Sequence, residues 1–220
     1  MKKDFKLVFK NFDLFNNIID FSTQGIYSVI SFVLGIIFLF SAISQYPGYS
    51  ISLQFVSELG TGPGLSAPLF NIGLLLIGVN SLNILFNLIK SLKKEFSNIH
   101  FIRFNIVFLI LGTISLALVG CFPQITYLMA IIHFVVACSF FVNFPILLIG
   151  LSILMLKSKH FYKFQAIAGF FVGIPFITFL ITELPLVEWI SVFTLISWGI
   201  IVLTPYLYNR IISFFSLTFL

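Results

Sequence analysis

The twelve lysine and arginine residues of this chain occur only in alternate segments between long apolar stretches. They occupy the N-terminal segment, the second and fourth connections and the C-terminal end, whereas the other connections have none. They are Lys2, Lys3, Lys6, Lys10, Lys90, Lys93, Lys94, Arg103, Lys157, Lys159, Lys163 and Arg210. Because short loops rich in lysine and arginine stay cytoplasmic, the pattern predicts a multi-pass plasma-membrane protein with both termini in the cytoplasm.

Composition and hydropathy predict an all-α polytopic membrane protein with six transmembrane helices. Hydrophobic residues make up 60% of the chain and charged residues 9%, whereas a soluble domain has about 25% charged residues. A helix needs about 20 apolar residues to cross a bilayer. The predicted spans lie near 26–44, 69–90, 104–122, 127–156, 164–182 and 188–209, within one domain that covers 26–220.

A different pattern precedes the first span. Apolar residues recur at steps of three and four between Phe5 and Ile19, with Lys10 and Asp13 on the intervening positions. This period indicates an amphipathic helix. The sequence therefore predicts that residues 1–25 form a helix on the cytoplasmic surface of the membrane.

Charge, cysteine and histidine usage exclude several classes of function. The net charge of +5 does not indicate a nucleic-acid partner, because the basic residues flank apolar spans and form no single soluble patch. Cys121 and Cys138 form no disulfide framework. No spacing typical of a metal site or cofactor site occurs, so neither group is predicted. Membrane lipids are the expected partners, with partner membrane subunits as the alternative.

The connection between the first two spans is the most distinctive loop. Residues 45–68 are rich in glycine and proline, which favours a compact, turn-rich structure. Glu58 is its only charged residue. Long loops in compact domains are often functional, so we expect this loop to contribute to a site.

Several polar residues are expected at the same level as this loop. They are Glu58, Asn71, Gln124, His133, Glu183 and Glu188. His133 is the one histidine outside the predicted cytoplasmic segments, and ionisable residues inside a membrane are candidates for function. The topology predicts their depth and leaves their lateral convergence open. Deeper in the second span, Asn80 and Asn83 lie three residues apart and are predicted to face neighbouring helices.

Five short motifs resemble one known family. They are Tyr46-Pro47-Gly48-Tyr49, Ser57-Glu58-Leu59-Gly60, Leu69-Phe70-Asn71, Gly120-x-Phe122-Pro123 and the following His133. In this order they resemble DUF998, a family of archaeal and bacterial membrane proteins that share a domain of unknown function. The resemblance covers residues 26–209 and implies six to seven spans with no established reaction. It implies that Ser57, Glu58, Asn71, Pro123 and His133 are the positions to test first. Members of the family usually have a small hydrophobic loop after the Gly-x-Phe-Pro turn, and in this chain that loop is nearly absent.

Three hypotheses of function follow, and the non-enzymatic one is favoured. The first is a protein that binds or transports a lipid or amphiphile in an outward-facing polar pocket. The residues assigned to that pocket are Ser57, Glu58, Asn71, Gln124, His133 and Glu183. The second is a membrane-embedded lipid hydrolase or transferase that uses Glu58 and His133 as acid and base. The third is a structural subunit of a larger membrane complex. For Glu58, a purely structural role in accepting backbone hydrogen bonds is equally open.

Overall fold

The computed structural model describes the backbone of residues 23–159 and 161–218, and the side chains within 29–159 and 161–204. The predicted surface helix over residues 1–25 therefore lies outside the described residues, apart from its last three positions. Those three positions begin the first α-helix.

The described part of the chain contains six α-helices and no β-strand. The α-helices are α1 (Thr23–Ser44), α2 (Ser66–Lys93), α3 (Ile99–Cys121), α4 (Tyr127–Lys157), α5 (Lys163–Thr182) and α6 (Pro185–Thr218). A short 3-10 helix, Val56–Thr61, lies in the loop between α1 and α2. The all-α prediction is confirmed for these residues.

Five of the helices, α2 to α6, contain stretches that are long and apolar enough to cross a membrane. The apolar part of α1 that the structure describes, Val29–Ser44, is shorter. Five of the predicted spans therefore coincide with helices that could cross a membrane, and the six-span arrangement stays a prediction. The fold is that of a helical membrane protein.

The helices extend past the ends of the apolar stretches. The helix α2 begins three residues before its predicted span and ends three residues after it. Side-chain caps fix other ends: Asn98 accepts a hydrogen bond from the amide of Phe101, and Thr126 accepts one from the amide of Met129. Pro145 lies inside α4, which continues through it. Neighbouring helices make such a proline tolerable within a membrane protein.

Consecutive helices pack side by side in chain order, and α1 and α6 meet through individual side chains. Large side chains make this last contact: the rings of Phe40 and Phe193 stack with centroids 6.5 Å apart. Phe32 lies directly against Gly199, where an added Cβ would be 2.7 Å from the ring. The six helices therefore surround a common interior.

The packing of α2 against α3 is the tightest crossing that concerns the site. A Cβ added at Gly78 would lie 2.5 Å from the backbone nitrogen of Ala117. Because a backbone atom cannot move aside, only glycine allows the two helices to approach this closely.

The two asparagines of α2 differ in their surroundings. The amide nitrogen of Asn80 donates to the carbonyl oxygen of Leu76 at 2.8 Å. Asn83, in contrast, is exposed on the outward face of the bundle. The prediction that both face neighbouring helices is wrong for Asn83, because the adjacent Ile84 and Leu85 take the inward positions. Asn80 is half-buried, but its bond stays within α2 and does not join it to a neighbouring helix.

Candidate functional site

The α1–α2 loop, residues 45–65, is held together by its own side chains. The hydroxyl of Tyr49 donates to the carbonyl oxygen of Phe55 at 2.8 Å. The side-chain oxygen of Gln54 accepts a hydrogen bond from the amide of Ser50 at 2.9 Å. The rings of Tyr46 and Tyr49 pack with centroids 5.4 Å apart. The loop is therefore an ordered layer over one end of the bundle.

Two carboxylates bind consecutive amides at the start of the 3-10 helix. Oε1 of Glu58 accepts from the amide of Phe55 at 2.9 Å, and Oε2 of Glu188 accepts from the amide of Val56 at 2.6 Å. The first amides of a helix lack intrahelical partners, and negative charge is favourable there. Glu188 belongs to α6 and is only 7% exposed. Its bond therefore joins the loop to the last helix.

A second link between the loop and α6 runs through Tyr49. The indole nitrogen of the buried Trp189 donates to the hydroxyl of Tyr49 at 3.1 Å. Their rings meet edge to face with centroids 6.0 Å apart. Burial raises the pKa of Tyr49 well above its usual value, and the carboxylates of Glu188 and Glu58 add to the rise, whereas the Trp189 bond opposes it.

Asn71 holds the other end of the 3-10 helix. Its amide nitrogen donates to the carbonyl oxygen of Gly60 at 3.0 Å. Its side-chain oxygen is buried and makes no hydrogen bond within the described residues. A Cβ added at Gly60 would lie 2.7 Å from that oxygen, so a larger residue there would force the Asn71 side chain to shift. The start of α2 and the start of α6 thus hold opposite ends of the same short helix.

The remaining residues of the predicted site are distributed differently. Nδ1 of the buried His133 lies 2.9 Å from the carbonyl oxygen of Phe122, which joins α4 to the end of α3. Gln124 is exposed in the turn between those helices. Glu183 is exposed and ends α5 in a left-handed conformation, with φ 49°. Ser57 is half-buried, and its hydroxyl makes no hydrogen bond with the part of the chain that the structure describes.

Glu58 and His133 therefore have separate partners. No hydrogen bond joins them within residues 29–159, where both lie. The structure instead brings Glu58 together with Glu188, and it places Asn71 at the far end of the same 3-10 helix. Over the same described chain, no three histidine, cysteine, aspartate or glutamate side chains are grouped as metal ligands would be.

Sequence analysis missed three residues that build this network: Tyr49, Gln54 and Trp189. It named Glu188 only as one of the polar residues at the same level. Two signals were present in the chain. Tyr49 belongs to the Tyr-Pro-Gly-Tyr run that carries part of the family resemblance, and Trp189 directly follows a lone glutamate at the start of an apolar span.

A cavity of about 120 Å³ lies in the bundle beneath the loop. Every α-helix contributes to its wall, and Val56 of the 3-10 helix also lines it. Aromatic rings from Phe140, Phe141 and Phe144 of α4 and from Phe176 of α5 form much of one side. Ser81 supplies the one hydroxyl among the lining residues. The cavity is therefore almost wholly apolar.

Six helices arranged in this way define a helical integral membrane protein. The profile of the family described as "Protein of unknown function (DUF998)" matches residues 29–205. The chain belongs to this family, which confirms the resemblance inferred from the loop and turn motifs. No curated protein and no solved structure is significantly similar to the chain.

Proposed function

We propose that this protein binds one apolar chain of a membrane lipid, or of a similar amphiphile, in the central cavity. The observation that carries the proposal is the apolar cavity itself, which all six helices and Val56 of the loop line. A cavity of about 150 Å³ lined by leucine, isoleucine and phenylalanine binds benzene. The present cavity is suited to a short run of methylene groups or one ring.

The chemistry of the surroundings favours a lipid chain as the occupant. The seam between α1 and α6 is closed by side chains, Phe40 against Phe193 and Phe32 against Gly199, rather than by closely packed backbones. In the proposed orientation, hydrocarbon chains lie directly outside this seam. A chain that moves from the bilayer into the cavity gains little hydrophobic free energy, because lipid tails are as apolar as the wall. Selectivity must then come from the fit against the aromatic rings.

This site differs in position from the polar pocket expected from the sequence. The polar side chains of the loop bind one another or backbone groups, as Glu58 does with Phe55 and Asn71 does with Gly60. In the proposal these groups hold the lid over the apolar site. The six-span topology, the cytoplasmic termini and the plasma-membrane location are part of the same proposal. The hydrolase and subunit hypotheses stay predictions.

Native mass spectrometry of gently extracted protein tests the proposal. Val192 lines the cavity, whereas Ile190 is 43% exposed on the same helix. We expect a lipid adduct on the wild type and on Ile190→Trp, and loss of that adduct on Val192→Trp. The adduct should also be lost on Ser81→Leu. Leucine is larger than the native serine and fills part of the cavity, although it is smaller than the tryptophan of the first variant.

Two results would overturn the proposal. One is an adduct of equal abundance on the wild type and on both cavity-filling variants. The other is the absence of any adduct on the wild type in several mild detergents. Thermal unfolding of each variant shows that it is folded before binding is compared, since overpacking a core costs about 1–3 kcal/mol.

A further inference from the structure

One exposed carboxamide interrupts the apolar outward face of α2. Positions that point away from the bundle recur every three or four residues along this helix. They are Ile72, Leu75, Val79, Asn83 and Phe86. Asn83 is the one polar residue of the five, and it has an apolar member of the row on either side.

Asn83 lies at a depth where water cannot satisfy its side chain. It precedes Lys90, the first basic residue of α2, by about 10 Å of helix rise. The charge pattern places Lys90 at the cytoplasmic boundary of the membrane. The hydrocarbon core is about 30 Å thick, so a residue about 10 Å inside that boundary falls within the core. Its side chain makes no hydrogen bond with the residues that the structure describes. A polar group exposed to hydrocarbon without a partner is costly.

We propose that a second copy of this chain packs against this face of α2, with the two Asn83 side chains hydrogen-bonded to each other. A two-fold axis normal to the membrane places the same residue of both copies face to face. A carboxamide has both donors and acceptors, so it is complementary to itself, unlike a carboxylate or an ammonium group. One asparagine within an apolar helix–helix seam also fixes the register.

The residues around Asn83 suit such a seam. Val79 and Phe86 lie one turn to either side and are 53% and 46% exposed. They would supply the van der Waals contact that drives helix association in lipid. Lys90 lies toward the water-facing end of the row, where salt screens the repulsion between the two copies. The inference does not depend on the cavity or on the proposed ligand.

Disulfide cross-linking of the full chain in native membranes tests this contact. Both native cysteines are first replaced by serine, as Cys121→Ser and Cys138→Ser. Val79→Cys then lies beside the seam, and Val107→Cys on α3, which is 52% exposed, is the matched control. We expect a cross-linked dimer of the chain with Val79→Cys and none with Val107→Cys.

Adding Asn83→Leu to Val79→Cys should reduce the cross-linked fraction. Interhelical hydrogen bonds of this kind correspond to about a 3- to 30-fold change in the dimer dissociation constant. The substitution is in an exposed apolar row, so unchanged thermal unfolding should accompany it. Equal cross-linking at positions 79 and 107, cross-linking of position 79 only to another protein, or no effect of Asn83→Leu would each overturn the proposal.

Discussion

The carboxylate of Glu188 accepts a 2.6 Å hydrogen bond from the amide of Val56, a residue whose side chain lines the central cavity. The bond is buried, and it joins the α1–α2 loop to the last helix, α6, at the wall of that cavity.

Removing the acceptor at position 188 should destabilise the protein. Glu188→Leu leaves the buried amide of Val56 unpaired, which lowers the free energy of unfolding by about 1–3 kcal/mol. Glu188→Gln keeps a side-chain oxygen and should retain most of the stability. Thermal unfolding in detergent measures both effects. Glu183→Leu is the control, because Glu183 is exposed and its side chain makes no hydrogen bond within the described chain. An equal loss in that control would contradict the assignment.

The stability of the fold should decrease at high pH because of Tyr49. Its pKa is raised in the folded protein, whereas in the unfolded chain it stays near its usual value of 10.0. Below pH 10 the hydroxyl is protonated in both states, so its contribution is fully present. Above pH 10 the unfolded chain loses the proton first, and the folded state loses stability as the pH rises.

Melting temperatures between pH 8 and pH 11.5 check this dependence. Tyr49→Phe should have a lower melting temperature at pH 8, because the bonds to Phe55 and Trp189 are lost. It should also show a smaller decrease above pH 10 than the wild type. Tyr127→Phe, at a position that is 85% exposed, should leave the decrease unchanged. The same decrease in Tyr49→Phe and the wild type would rule out Tyr49 as its source.

Replacing glycine by alanine should lower the stability of the fold at Gly78 but not at Gly173. Gly78→Ala places a Cβ 2.5 Å from the backbone of Ala117, so α2 and α3 must separate. We expect a loss of about 1–3 kcal/mol. Gly173→Ala meets its nearest neighbour, Ile149, at 3.8 Å and should be tolerated. Thermal unfolding of the pair distinguishes a specific crossing from a general intolerance of alanine.

Cysteine labelling should reveal the orientation in the membrane. In a background without Cys121 and Cys138, Leu65→Cys places a thiol at a position of the α1–α2 loop that is 61% exposed. Ser97→Cys places one in the exposed α2–α3 connection. A membrane-impermeant maleimide should label position 65 in intact cells and position 97 only after permeabilisation. The reverse pattern would invert the proposed topology.

The sequence predicted the helices better than it predicted the site. Apolar length identified helices at every predicted span, because hydropathy reports which residues avoid water. One helix start differed where a cap decides it: α3 begins directly after Asn98, five residues before its predicted span, since a cap depends on one hydrogen bond rather than on composition. The short 3-10 helix was missed because it has no hydrophobic period of its own.

The polar site was harder to predict because depth does not determine lateral position. Glu58, His133 and Glu188 were all expected at one level, yet only Glu58 and Glu188 bind neighbouring amides. Which side chains meet depends on the order of helices around the bundle and on the rotation of each helix. The misplacement of Asn83 has the same origin, since the rotation of α2 about its own axis decides whether Asn83 or the adjacent Ile84, about 100° further round the helix, faces the interior.

The bond between Glu188 and Val56 also has a consequence for biogenesis. The two residues are separated by 132 positions, so the acceptor leaves the ribosome long after the amide does. Domains acquire structure as they are synthesised, but the start of the 3-10 helix cannot be anchored until α6 is in place. This anchor of the loop therefore forms only when the last helix joins the bundle.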